Sequence, residues 1–236
     1  MRKCLFMSLF ISFTCLFLTS NFCCQDNREE NKMQNQDSDE IKLPPPAYTG
    51  PISVEEALHK RRSIRDYSKE PLTIKEISQI LWAAQGITED KYKLRTTPSA
   101  GALYPLEIYI AVSNVKDLSA GLYKYIPRNH TVKKISDGDK LLDISNAALR
   151  QDAIENSSAI ILIAAVYERT AVKYSSRTER YVDMEVGAAA QNIYLQSVSL
   201  EIGTVIMGAF KDDALKNILR LPENENPLAI MPLGKI

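Results

Sequence analysis

The chain has 236 residues, with 29 basic and 29 acidic side chains; that is room for one domain with a sizeable core plus a tail, and without the basic excess typical of nucleic-acid binders. All four cysteines (Cys4, Cys15, Cys23, Cys24) fall in the first 24 residues and the only histidines are His59 and His130. The remaining chain therefore carries no disulfide, thiolate metal site or cysteine nucleophile, and a conventional zinc site is not expected; redox chemistry would need a borrowed electron carrier.

Residues 1–24 read as a targeting segment. Arg2 and Lys3 precede a nearly uncharged apolar run over 5–18, which is short for a membrane span and suits a secretory signal. Cys23 or Cys24, followed by Gln25-Asp26, resembles a lipid-attachment site of bacterial lipoproteins. A cleaved export signal, a lipoprotein-type membrane tether and an uncleaved apolar anchor all remain open; each implies an exported, periplasmic or membrane-anchored protein, and a cytoplasmic one follows only if this segment is no signal. The pair Arg2-Lys3 does not match the double arginine of the twin-arginine route. Residues 25–50 are polar, then turn proline-rich at Pro44-Pro45-Pro46, and read as a linker. The folded domain is expected over 51–236.

Ser53-Val54-Glu55-Glu56 is a capping-box pattern that starts a helix, with Val54, Ala57, Leu58 and Arg61 at helical spacing. The helix delivers Arg61-Arg62-Ser63-Ile64-Arg65-Asp66-Tyr67 at its end. Three guanidiniums and a hydroxyl at one place suit phosphate oxygens. A solvated basic helix end, favoured by the dipole, is the alternative. Thr73-Ile74-Lys75-Glu76 is a second capping box, followed by the stripe Ile74, Ile77, Ile80, Leu81, Ala84 and a stop at Gly86. Trp82 is placed in the core or at an interface.

Pro98-Ser99-Ala100-Gly101-Ala102-Leu103-Tyr104-Pro105 is a turn-rich loop whose small residues let a flat ligand approach the backbone. It could equally be an ordinary loop that positions Tyr104. A strand follows over 106–112. Residues 121–126 and 131–135 alternate as a hairpin, with His130 solvated on its turn. The apolar run 159–166 suits a strand buried on both faces. Residues 173–181 are basic and tyrosine-bearing. The run 182–200, with Gly187-Ala188-Ala189-Ala190, is apolar almost all round and reads as a buried helix that a partner helix can approach. Short strands over 203–207 and 228–233 flank a helix over 212–219.

These pieces resemble the FMN-dependent nitroreductase superfamily, and within it the SagB-type or thiazole/oxazole dehydrogenase branch. The resemblance rests on Arg61 to Tyr67, the loop 98–105, Gly187-Ala188-Ala189-Ala190-Gln191-Asn192, the segment 202–210 and Pro232-Leu233-Gly234-Lys235, in that order. It implies an α+β fold, a mostly antiparallel sheet flanked by helices, in an intertwined homodimer with FMN at each interface. Arg61, Arg62, Ser63 and Arg65 would hold the phosphate and ribityl chain. Pro98, Ser99, Ala100, Gly101 and Leu103 would line the isoalloxazine from the other subunit. Met207 and Gly208 would lie near its redox edge, and Lys235 would reach the phosphate region. The flavin would pass a hydride through N5, either from a donor such as NAD(P)H to a nitro compound or quinone, or out of a peptide azoline that is itself oxidised.

Azoline dehydrogenases of the branch use a Lys-Tyr pair, which Lys173-Tyr174 matches. A cationic rim over Lys173, Arg177 and Arg180 is the plainer alternative. Two departures stand out. The sequence stops just after Gly234-Lys235, and an export signal would remove the protein from the nicotinamide pool. An exported flavin-binding module without turnover is thus the non-enzymatic alternative.

Overall fold

The computed structural model describes residues 40–236, one compact unit. The expected targeting segment and the first part of the linker lie outside the described residues.

The element that organises the core is the strand β9 (Ala159–Ala165), in which every residue is buried. An uncharged β-branched run of this kind has no solvent face, so it belongs between two layers. It pairs antiparallel with β5 (Leu106–Val112) on one side and β11 (Asn226–Lys235) on the other. Outward from β5 come β7 (Gly121–Ile126), β8 (Thr131–Asp137) and β1 (Glu40–Lys42); outward from β11 comes β10 (Ile202–Thr204). Among the described residues these seven strands form one sheet, antiparallel throughout. Two small pairs stand apart, β2 (Leu72–Thr73) with β6 (Val115–Lys116) and β3 (Ile87–Glu89) with β4 (Leu94–Arg95).

Alternation along the strands divides the core in two. Ile108, Ile110, Ile161 and Ile163 face a layer built by α2 (Ile74–Gln85) and α6 (Thr178–Ser199). Tyr109, Ala111, Ile160 and Leu162 face the other layer, of α3 (Leu141–Ala147), α4 (Asp152–Glu155) and α7 (Asp212–Leu219). Burying each large apolar side chain contributes roughly 1.5–3 kcal/mol. The remaining helices are α1 (Val54–Lys60) and α5 (Tyr167–Tyr174). The α+β fold with a mostly antiparallel sheet is as expected.

Four local expectations need correction. The fold begins at residue 40, not 51: β1 extends the sheet, and Leu43 is only 2% exposed. A short run of Glu40-Ile41-Lys42 is too polar to announce a strand, but an open sheet edge at β8 supplies its partners. His130 is not solvated. Its Nε2 and the Ser78 hydroxyl both reach the Pro44 carbonyl, at 3.0 and 2.5 Å, while the Tyr125 hydroxyl lies 2.9 Å from Nδ1. The ring thus clasps the proline-rich segment onto α2. At α1 the box is half made. Ser53 accepts from the Glu56 amide at 3.1 Å, but the Glu56 carboxylate turns to Lys60 at 2.6 Å. Thr73 and Glu76 close the full box at α2. Finally, α6 is not buried all round, since Met184 is 62% exposed and nothing lies within 4 Å of a side chain added at Gly187.

Gly203 and Gly234 face each other across β10 and β11. The ring of Tyr67 occupies the space above them; a Cβ at Gly234 would come within 2.5 Å of it, and one at Gly203 within 3.1 Å. The Tyr67 hydroxyl donates to the Ile64 carbonyl at 3.0 Å, and Ser68 donates to the Lys235 carbonyl at 2.8 Å. The arginine-rich segment is thereby laid across the sheet edge by its own aromatic residue.

Two outcomes are expected. Gly234→Ala should lower unfolding stability by about 1–3 kcal/mol in urea titration, since the added methyl must displace a packed ring. Burial holds the His130 pKa below its ordinary 6.5. The neutral ring therefore stabilises the fold fully above pH 6.5, and this contribution is lost as pH falls below it. Comparing thermal unfolding of wild type and His130→Asn from pH 8 to pH 5 should show their difference shrinking toward acid.

Candidate functional site

Helix α1 ends at Lys60, and Arg61 leaves it in an extended conformation. The next seven residues form no regular element, so the cationic segment is an extended strap, not a helical turn. Ile64 donates to the Thr204 carbonyl at 2.9 Å and fixes the strap beside β10. The Arg61 guanidinium stacks over the ring of Tyr194 at 5.2 Å. The Ser63 and Tyr194 hydroxyls lie 3.0 Å apart, and the Ile206 amide donates to the Tyr194 hydroxyl at 2.8 Å. Tyr194 thus joins the strap, α6 and the segment after β10. Arg62 folds back and donates to the carbonyls of His59 and Arg61, at 3.0 and 2.7 Å. Arg65 is exposed. Among the described residues none of these three guanidiniums pairs with a carboxylate.

A cleft of about 510 Å³ opens here, lined by Arg62, Ile64, Tyr194, Thr204 and Ile236. A larger one of about 690 Å³, lined by Tyr48, Trp82, Asn192 and Gln196, shares Pro51, Ile52, Ser199 and Leu200 with it. The smaller cleft carries the cationic chemistry. Lys235 turns away from the arginines. Its ammonium pairs with Glu76 at 2.6 Å, and the Leu200 carbonyl lies 3.4 Å away.

The loop 98–105 has a different setting. A single 3-10 turn spans Ala100–Ala102, with Gly101 at φ +64°, Ala102 at +54° and Tyr104 at +46°. Left-handed backbone at two non-glycine residues is strained and must be held from outside. The Ser99 hydroxyl accepts from the Tyr104 amide at 2.9 Å; Arg169 donates to the Tyr104 carbonyl at 3.0 Å; Arg95 stacks on the Tyr104 ring at 4.5 Å. Arg169 in turn pairs with Glu107 at 2.5 Å, and Lys124 bridges Glu107 and the buried Glu225 at 3.0 and 2.8 Å. This ladder ties the loop to the sheet. Pro98 is exposed; Ser99, Ala100 and Leu103 are half-buried.

Lys173 and Tyr174 end α5 directly above this loop. A Cβ on Gly101 would lie 3.0 Å from the Tyr174 hydroxyl and 3.2 Å from the Lys173 ammonium. Ser175 follows at φ +44°, ψ −118°, a strained elbow into α6, and the rings of Tyr174 and Tyr181 meet edge-on at 4.8 Å. The pair and the loop, 72 residues apart in sequence from Gly101 to Lys173, are therefore brought together. Met207 is buried: its side chain belongs to the second core layer and its backbone exchanges hydrogen bonds with Ile230, both at 2.9 Å. Gly208 is exposed.

Two further residues of α6 complete the arrangement: Asn192, the end of the Gly187 to Asn192 motif, and Glu185, which belongs to no motif read from the sequence. Asn192 donates to the Thr96 carbonyl and the Thr97 hydroxyl at 3.2 and 3.1 Å. Glu185 is 4% exposed, and burial pushes its carboxyl up to about 7 against the Ser99, Arg95 and Gln85 groups that lower it. Its spacing to Val182, Val186 and Ala189, all buried, was the available signal: an acid on the apolar face of a helix.

A profile described as the Nitroreductase family matches residues 58–235. A protein of Methanocaldococcus jannaschii assigned to the nitroreductases is 46% identical over 199 residues, or 84% of this chain and 98% of its own. The microcin B17-processing protein of Escherichia coli is 22% identical over 71% of this chain, which spans 64% of that protein. Among solved structures, one assigned to the nitroreductases from Ralstonia eutropha superposes with a TM-score of 0.75 at 27% identity, over 84% of this chain and 90% of its own. The chain belongs to the nitroreductase family and is an oxidoreductase.

Proposed function

We propose that two copies of this chain hold FMN between them and act as a two-electron oxidoreductase. The acceptor would be a nitro compound, a quinone or a similar small molecule, and NAD(P)H a candidate donor. The observation that carries this is a strap bearing Arg61, Arg62 and Arg65, none paired with a carboxylate among the described residues, with the Ser63 hydroxyl on the same strap and Arg62 lining a cleft. A phosphate monoester relieves their mutual repulsion and accepts their hydrogen bonds. The loop is assigned to the ring by the family resemblance; Gly101, having no side chain, lets Lys173 and Tyr174 close onto its backbone, so the pair would border the ring's site. The flavin, when bound, supplies the hydride chemistry. The chain's residues bind the phosphate, orient the ring and exclude water.

The geometry of α6 supports the two-copy reading. Tyr194, which meets the strap, and Glu185, which faces the loop, are nine residues apart. Nine steps of about 100° place them on opposite helix faces, about 13 Å apart along the axis. A cofactor held by the strap of one chain would then meet the loop of a second copy more directly than its own. The exposed Val54, Leu58 and Met184 and the open Gly187 offer the surface for a second copy.

Dehydrogenation of a peptide azoline is the second reading, favoured by the placement of Lys173 and Tyr174 over the loop. There the lysine would take a proton from the substrate carbon. Export through the N-terminal segment belongs to the same proposal, and would favour a donor other than nicotinamide.

Purified protein should be yellow, and the released chromophore should have the mass of FMN; a colourless protein that takes up no FMN removes this reading. Arg61→Ala should weaken FMN binding roughly 10- to 100-fold in a fluorescence titration, the effect of one charged hydrogen-bonding group. Gly187→Lys should gain up to about 1 kcal/mol in helix propensity within one chain, yet yield a folded monomer that is flavin-poor by light scattering and absorbance. Lys173→Ala should abolish azoline oxidation while FMN stays bound; unchanged oxidation would take the pair out of the mechanism.

A further inference from the structure

Glu185 is the one deeply buried acid at the loop, and neither the family motifs nor the proposed chemistry uses it. Its Oε1 has no hydrogen-bond partner among the described residues. Facing it from the end of α2 is Gln85, fully buried, whose amide nitrogen is also unpartnered and whose oxygen accepts from Arg95 at 3.0 Å. Facing it from the loop is Ser99. That hydroxyl oxygen is occupied by the Tyr104 amide at 2.9 Å, so its proton is free to point at the carboxyl. The charged group acting on it is Arg95 of β4, itself set among Glu107, Tyr104 and Arg169. Glu185 thus sits under the strained turn, next to the hydroxyl that closes it.

We propose that Glu185 is a positioning residue for the 98–105 loop, protonated while the turn from Ser99 to Tyr104 is closed and releasing that proton to water when the turn opens and wets it. The bearing on cofactor binding rests on the FMN reading above. The direction follows from linkage. A wetted carboxyl returns toward its ordinary 4.5, whereas burial holds the closed one near 7. Closure is therefore favoured most at acid pH and weakens as pH rises from 4.5 toward 7, with little further change above. A neutral carboxyl costs less to bury than a charged one in the same place, which is why the proton accompanies closure.

The test is amide hydrogen exchange on the full chain, read as the protection factor of the Tyr104 amide after correction for intrinsic rates. Between pH 5.5 and pH 8 the wild type should lose roughly tenfold or more in protection. Glu185→Gln, neutral at both, should keep the same protection at both. Equal pH dependence in the two proteins, or none in the wild type, overturns the proposal. Should the variant not fold, carboxyl ¹³C titration of Glu185 in the wild type decides instead, and a midpoint at the ordinary 4.5 overturns it. FMN titration at the same two pH values separates the two claims. Affinity that weakens toward pH 8 only in the wild type supports both. A protection change without FMN uptake at either pH sinks the flavin reading and leaves Glu185 in its role. FMN uptake with no difference in protection sinks the role of Glu185 and leaves the flavin reading.

Discussion

The hydroxyl and ring of Tyr194 hold the cationic strap in place. One side chain stacks under Arg61, meets Ser63 and accepts from the Ile206 amide. Without it, the arginine-bearing part of the segment would lean on the Ile64 and Ser68 backbone bonds and on the Ile64 and Tyr67 side chains packed at the sheet edge. Tyr194 is buried because α6 runs across the sheet, so the position of the arginines is set by the packing of a helix whose tyrosine lies 131 residues from Ser63. A strap carrying three arginines close in sequence needs such anchoring, since their like charges favour its spreading into water.

The opposite face of α6 serves the loop. Asn192 and Glu185, seven residues apart and so on one face, meet Thr96, Thr97 and the neighbourhood of Ser99. A turn with two strained non-glycine residues persists only when surrounding groups over-determine it. Here the determining groups come from α2, α5, α6 and the sheet, through Gln85, Arg169, Glu185 and Glu107. The ion pairs in this ladder are partly buried, so their effect is to fix geometry more than to add net stability.

Much of the framework can be read from local pattern. The capping box at Thr73, the stripe from Ile77 to Ala84, the strand Leu106–Val112 and the helix Asp212–Leu219 follow from side-chain period and capping chemistry alone. The strap and the loop were visible for the same reason, because arginine clusters and Pro-Ser-Ala-Gly runs carry their chemistry in adjacent residues. Glu40 to Lys42, His130 and Glu185 were not. Each owes its state to a partner distant in sequence: β8 for the first, Pro44 for the second and Ser99 for the third.

Composition and spacing alone thus gave the capped helices, the buried strand, a folded part without cysteine, and the run of residues expected to seek an anion, while the α+β class came with the family resemblance. Those properties depend on periodicity and on the chemistry of neighbouring side chains. Packing across the sheet and through α6 decided that Lys173 and Tyr174 cover Gly101, that Lys235 answers Glu76, that Met207 is core, and that strap and loop lie on opposite faces of one helix. Such relations join residues tens to more than a hundred positions apart, and no local period records which of them will meet.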